Sequence, residues 1–218
     1  MKRTSWILLA LCLPLLCCSP ALARQQAGMY AGVYGGGNLV PSAKSSDGQG
    51  SFNLTFKPAL QFGAVLGWEI RPDNFLGGEG RVELEYSHRN NRLDQVEFVE
   101  GKVPGGGGLT VDSLLLNSYY VYHDNSIWSP YFGLGAGAAR IAADGMQVMG
   151  QPLSSDTDLV FAYQVGTGVD FAVTDRVTLD LGYRFFGCSQ PKFGESNGQK
   201  FKVDYVSHSV IVGVRFGF

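Results

Sequence analysis

Acid–base or nucleophilic chemistry in this chain would have to draw on its three histidines, His88, His123 and His208, and on hydroxyls or carboxylates that converge on them. His208 stands between Ser207 and Ser209, so a hydrolase built on serine, histidine and an acid is the first chemistry to weigh. Neighbouring residues of a strand point to opposite faces, which separates His208 from both serines. Gly133-Leu134-Gly135-Ala136-Gly137-Ala138 has the glycine spacing of a dinucleotide-binding turn. That turn also needs a strand before it, a helix after it and a later acidic residue, and this context is missing. The segment reads as a glycine-lined strand, no catalytic residue is assigned, and neither cofactor nor metal is called for.

The other concentration of reactive groups is charged. Lys57, Arg81, Arg89, Arg184 and Arg215 oppose Glu69, Glu79, Glu83, Glu85, Asp170 and Asp180, and in each strand they share one parity. Buried charges persist when they are paired and hydrogen-bonded. If that parity faces an interior, Glu69, Glu79, Arg81, Glu83, Glu85, Asp170, Asp180, Arg184 and Arg215 form a structural ion-pair network.

The elements that would position them are strands. From Ala59 to Ile70, the residues Leu60, Phe62, Ala64, Leu66, Trp68 and Ile70 alternate with Gln61, Gly63, Val65, Gly67 and Glu69, a period of two. After Arg71-Pro72-Asp73-Asn74, Leu76, Val82, Leu84 and Tyr86 take one face, and Glu79, Arg81, Glu83, Glu85 and Arg89 the other. The same pattern predicts strands at Met29–Leu39, Thr110–His123, Tyr131–Ala142, Leu159–Val173, Val177–Phe186 and Tyr205–Phe218. An even number of antiparallel strands can close on itself and leave no edge. The connections alternate: 40–54, 90–109, 143–158 and 187–203 are long and polar, whereas 71–75, 124–130 and 174–176 are short. Pro104 and Gly105–Gly108 predict that the second long connection is irregular and mobile.

Lys2 and Arg3, an apolar run from Trp6 to Leu16 and the small-residue site Ala21-Leu22-Ala23 make residues 1–23 an export leader. That run is shorter than the roughly 20 residues a spanning helix requires. Cleavage leaves residues 24–218 as one domain with Cys188 as its sole cysteine, so no internal disulfide is available. A free thiol is expected there. The mature chain keeps 15 of 17 Lys/Arg against 19 Asp/Glu, a formal charge of about −4, which disfavours nucleic acid as a partner.

A soluble barrel alternates too, with its apolar face inward, so the orientation rests on the small residues. Gly63, Gly67, Gly133, Gly135, Gly137, Gly166, Gly168, Gly182, Gly213 and Gly217 share parity with the polar residues. An eight-stranded barrel has an interior that side chains fill. Long Arg and Glu chains fit there only beside small neighbours. Trp68, Tyr120, Tyr122, Phe171, Phe216 and Phe218 sit near one set of strand ends, as in an interfacial girdle. The expected fold is therefore all-β: an eight-stranded antiparallel up-and-down transmembrane β-barrel, polar and closed inside, with short turns toward the periplasm and long loops outward.

Leu114-Leu115-Leu116-Asn117-Ser118-Tyr119-Tyr120, Pro130-Tyr131-Phe132-Gly133-Leu134-Gly135, Phe161-Ala162-Tyr163-Gln164-Val165-Gly166 and Leu181-Gly182-Tyr183-Arg184-Phe185 occur in an order that resembles the OmpA/OmpX-like and opacity-type outer-membrane barrels over nearly the whole mature chain. Gly213-Val214-Arg215-Phe216-Gly217-Phe218 is similar to the signal read by the barrel-assembly machinery, with Gly213, Phe216 and Phe218 as its marked positions. With Phe218 last, no periplasmic peptidoglycan-binding domain is expected. The resemblance implies a monomeric protein of the bacterial outer membrane, surrounded by outer-membrane lipid and lipopolysaccharide. Its loops would serve membrane integrity or contact a host or surface ligand. In that setting the sequon Asn53-Leu54-Thr55 carries no weight. A lipid A-modifying enzyme and a narrow channel are the alternative functions.

Overall fold

The computed structural model describes residues 28–46, 51–70, 78–99, 101–123, 127–194 and 200–218. The leader at 1–23, Leu76 and the turn expected at 71–75 lie outside them. In chain order the strands are β1 (Met29–Leu39), β2 (Ala43–Ser46), β3 (Ser51–Phe56), β4 (Ala59–Ile70), β5 (Gly78–Phe98), β6 (Gly101–Tyr122), β7 (Trp128–Val148), β8 (Gln151–Ser154), β9 (Thr157–Ala172), β10 (Val177–Cys188), β11 (Lys192–Gly194), β12 (Lys200–Val203) and β13 (Val206–Gly217).

Eight of these form a closed antiparallel ring in which β1 pairs β4, then β5, β6, β7, β9, β10 and β13 follow, and β13 returns to β1. Each ring strand alternates buried and exposed positions with the expected parity, because one side chain in two points inward. At the 174–176 turn, the Thr174 hydroxyl accepts hydrogen bonds from the backbone N–H groups of Arg176 and Val177, a local cap that lets β9 reverse into β10.

The four long connections differ from the expected loops. β5 and β6 continue through 90–109 as one extended hairpin, and Gly105, Gly106 and Gly108 are paired across to Val148, Gln147 and Asp144 of β7. Glycine-rich composition weakens a strand but does not prevent one whose backbone is paired to a neighbour, here β7 for Gly105 and Gly106 and both β5 and β7 for Gly108. Here Leu93 covers the space over Gly105, and Gly107, with φ of 74°, takes up a register shift that other residues would resist. β7 and β8 make the 143–158 segment a second hairpin. In the described parts of 40–54 and 187–203, β2, β3, β11 and β12 add a small sheet in the order β11-β12-β2-β3-β5, which carries the barrel wall upward beyond β1, β4 and β13. At the outer edge of β11, Asp158 and Asp156 accept the backbone N–H groups of Lys192 and Gly194, each at 2.9 Å.

This upper tier has a core of its own. Phe52, Leu54 and Phe56 of β3 meet Leu93 and Val96 of β5, Leu109 and Val111 of β6, Ile141 and Met146 of β7, and Phe193, Phe201, Val203 and Tyr205. Phe201 lies 5.6 Å from Phe193 and 6.2 Å from Phe52, ring centre to ring centre. Each fully buried aromatic of this kind contributes about 1.5–3 kcal/mol, enough in sum to hold short strands that could not stand alone.

Candidate functional site

The interior below that core is polar and arranged in tiers. Near the Trp68 and Phe216 end, Arg81 Nη1 donates to Asp170 Oδ2 at 2.6 Å, and Arg81 Nε lies 3.2 Å from Glu83. Arg215 approaches the same two carboxylates, with Nη2 2.5 Å from Asp170 and Nη1 3.7 Å from Glu83. These contacts are ionic more than directional, since neither Arg215 nitrogen meets hydrogen-bond geometry. The Tyr30 hydroxyl donates to Glu83 at 2.5 Å, and Glu69 is buried directly across from Arg81. Glu79 lies at the rim, 3.7 Å from His123 Nδ1.

One tier up, Arg184 lies 3.7 Å from Asp180, and the Tyr131 hydroxyl donates to Asp180 at 2.6 Å while accepting from Arg184 at 3.0 Å. Glu85 is held by three neutral donors: Tyr34 at 2.7 Å, Asn117 at 2.8 Å and Gln164 at 3.1 Å. The Arg81 guanidinium lies over the rings of Tyr119 and Tyr131, at 4.8 and 4.5 Å, and these rings meet edge to face. In the highest polar tier, Arg89 donates to Gln61 at 3.0 Å and Ser113 at 3.2 Å, and it lies 4.1 Å over the Phe186 ring. Asn38, Gln61 and Ser209 link through hydrogen bonds beside it, and the apolar core begins directly above.

The glycines make this filling possible. A Cβ at Gly67 would fall 2.2 Å from the Tyr30 ring, and one at Gly63 would fall 2.4 Å from that of Tyr34. The nine charged residues singled out by parity thus all face the interior, and Glu85 is held there by neutral donors. Lys57 is corrected. It follows the register shift at Thr55/Phe56, precedes Pro58, and turns outward to Asp94 at 3.4 Å. Parity in a neighbouring strand does not carry across such a break. The sequence reading missed Tyr30, Tyr34, Tyr119, Tyr131 and Gln164, although each shares parity with the glycines, which was the available signal.

Comparison with known proteins bears on the whole ring. The description "Outer membrane protein beta-barrel domain" belongs to a family model that matches residues 8–216. The chain belongs to this outer-membrane barrel family. Among curated relatives it is 24% identical over 88 residues to outer membrane protein PagN of Salmonella typhimurium, covering 38% of this chain and 36% of that protein. It is 29% identical over 119 residues to RC1281 of Rickettsia conorii, named as an adhesin, covering 49% and 48%. The chain therefore spans less than half the length of either relative. OprG of Pseudomonas aeruginosa shares the fold at a TM-score of 0.59 and 17% identity, over 90% of this chain and 99% of that one. Neisserial surface protein A shares it at 0.55 and 23%, over 88% and 98%.

As an outer-membrane barrel, the chain turns Leu66, Trp68, Leu116, Phe132, Leu181 and Val212 toward lipid, all of them exposed on its outer wall. A shallow outer groove of about 520 Å³ over Gly80 and Ser118, walled by Ile70, Tyr120, Phe132 and Leu134, belongs to this surface. His88 and His208 face outward at the upper margin of the band. His88 Nδ1 lies 2.8 Å from Asp112, which also accepts from Tyr86, and Phe62 stacks on its ring. His208 Nδ1 lies 2.6 Å from the Tyr183 hydroxyl, while Ser207 and Ser209 are buried on the opposite face. Neither histidine touches a serine in these contacts. Among the described residues no group of three or more His, Cys, Asp or Glu is placed to hold a metal ion. Cys188 is a free, partly buried thiol. Gly213 faces inward between Tyr34 and Asp180, Phe216 and Phe218 are exposed, and the Phe218 N–H donates to the Met29 carbonyl at 3.0 Å.

Proposed function

We propose that this outer-membrane barrel is a non-enzymatic surface protein whose upper tier displays contact residues for adhesion to a host or neighbouring surface. One observation carries the reading: Val99 and Met149, at the tips of the β5–β6 and β7–β8 hairpins, are 94% and 71% exposed, although the strands that hold them are locked by a packed core. Apolar side chains held in water on rigid supports gain their free energy from a partner. The adhesin name of one relative supports the same reading.

In this reading residues 1–23 are a removed leader, residues 24–218 are the single working domain, and Gly213, Phe216 and Phe218 serve assembly. The inner charges, Glu69 through Arg215, close the lumen and hold the ring together as a monomer. The test is attachment of cells carrying the wild-type chain or V99S/M149S at equal surface display. Attachment reduced several-fold supports the proposal, and equal attachment refutes it. Lipid A of unaltered acyl pattern by mass spectrometry and absent conductance in planar bilayers are the outcomes expected on the enzyme and channel alternatives.

A further inference from the structure

Charge is paired unevenly along the lumen. Arg81 lies 2.6 Å from Asp170, Arg184 lies 3.7 Å from Asp180, and Arg215 lies 2.5 Å from Asp170. Among the described residues no such ion pair involves Arg89, although it is 0% exposed, at the top of the polar interior and directly under the apolar core. The next inward carboxylate down its strand is Glu85, whose oxygens accept from Tyr34, Asn117 and Gln164. A guanidinium keeps its charge in any protein setting, and a buried charge needs a counter-charge and hydrogen-bond partners.

The contacts that Arg89 does make are neutral. Nε donates to Gln61 Oε1 at 3.0 Å, Nη1 donates to Ser113 Oγ at 3.2 Å, and the Phe186 ring lies 4.1 Å away. Nη2 has no hydrogen-bond partner. In a guanidinium, Nε–H and the Nη on its side share one edge, which takes both oxygens of a carboxylate. Gln61 answers only the Nε prong of that edge. Its Oε1 is also held by Ser209 Oγ at 2.9 Å, which in turn accepts from Asn38 Nδ2, so turning the amide over would break two hydrogen bonds. Gln61 Nε2, on the same carbon as that oxygen, is therefore a second donor without an acceptor. Asn91, two residues along the same face of β5, supplies a third: its Oδ1 accepts from the Tyr205 hydroxyl at 3.1 Å, and its Nδ2 has no partner. Gln61, Arg89 and Asn91 are each at most 2% exposed. Asn38 Oδ1 is an acceptor without a partner in this tier, but it carries no charge to set against Arg89.

Three buried donors, one of them cationic, thus gather where the carboxylate of an ion pair would otherwise stand. We propose that Gln61, Arg89 and Asn91 bind one monovalent anion of halide size inside the barrel, at the boundary between its polar lumen and its apolar core. One unpaired positive charge calls for one negative charge. Val111, directly across from Arg89, and Phe186 are apolar and fully buried, so the further oxygens of a phosphate or sulfate would stay unpaired beside them, whereas a spherical ion has none to satisfy. The inference is independent of what the hairpin tips bind.

The ion is captured as the strands close, so reversible urea unfolding of the full barrel in phosphatidylcholine vesicles reads it, with potassium chloride compared against potassium gluconate at equal ionic strength. For wild type the unfolding equilibrium constant should be about tenfold lower in chloride, as an ion present at roughly ten times its Kd requires. Gln61→Glu gives Arg89 a resident carboxylate on the same edge. It should unfold alike in both salts and be more stable than wild type in gluconate, an outcome that a purely structural Gln61 would not produce. Crystals of wild type folded in bromide should show an anomalous peak against Arg89 Nη2, and those of Q61E should show none. Equal unfolding of wild type in the two salts overturns the proposal, as does Q61E that keeps the full chloride dependence, or bromide crystals in which only water stands beside Nη2.

Discussion

Replacing Arg81 by methionine keeps most of the aliphatic stem but removes the guanidinium that lies over Tyr119 and Tyr131, and with it the charge that Asp170 and Glu83 share. Arg81 is 1% exposed, and Asp170 and Glu83 are buried with it, so water cannot substitute for the lost guanidinium. Two carboxylates then remain against Arg215 alone. Removing one partner of a buried ion pair costs about 3–5 kcal/mol. D170N alone should also destabilise, since it leaves Arg81 and Arg215 with Glu83. R81M/D170N restores one cation to one anion, so its cost should fall well below the sum of the single costs, by about 2 kcal/mol or more. Reversible urea unfolding of the folded barrel in phospholipid vesicles, followed by tryptophan emission, measures all three variants. Costs that add to within about 0.5 kcal/mol would show that the two charges are independent and that the network has no energetic meaning.

In the upper tier, F201A should cost about 3–5 kcal/mol locally; hydrogen exchange should rise in β2, β3, β11 and β12 while heat-modified gel migration of the ring is unchanged. G67V should prevent folding by driving a side chain into the Tyr30 ring, and Y30S should restore it, read by gel migration before and after boiling. Hydrogen bonds from the Gly194 and Thr157 N–H groups hold the Asp156 carboxyl below the ordinary carboxylate range. A lowered folded value stabilises at and above the unfolded value of about 4 and is lost as pH falls through the folded one. Exchange protection at Gly194 should therefore persist at neutral pH and decline below about pH 4, whereas D156A should lack it throughout.

Parity made the ring legible because chemistry and geometry repeat together: Arg81, Glu83 and Glu85 alternate with Val82, Leu84 and Tyr86, and the strand has no other way to sort them. Above the membrane the same inward parity continues with its chemistry reversed. In the chain toward β13, Phe201, Val203 and Tyr205 point inward as Ser207, Ser209 and Arg215 do, yet they are apolar. Lipid outside and charge inside give way to water outside and oil inside. That reversal was present in Phe52-Leu54-Phe56 as well, but glycine and proline at 104–108 and polar outer residues such as Lys44 and Lys202 made the segments resemble loops. The tyrosines of the lumen were hidden for another reason. Parity already separates the adjacent Tyr119 and Tyr120, but that Tyr119 packs on Arg81 depends on which strand lies beside it, which parity does not give.

The capped edge of β11 bears on how densely such molecules can be spread. A closed ring has no free strand, but the small sheet does, and an open strand is where a second chain would zip on. Asp156 and Asp158 already occupy the Gly194 and Lys192 N–H groups there, so an arriving strand would have to expel two carboxylates before gaining its first hydrogen bonds. At this edge, contact between crowded copies would not readily grow into a shared sheet.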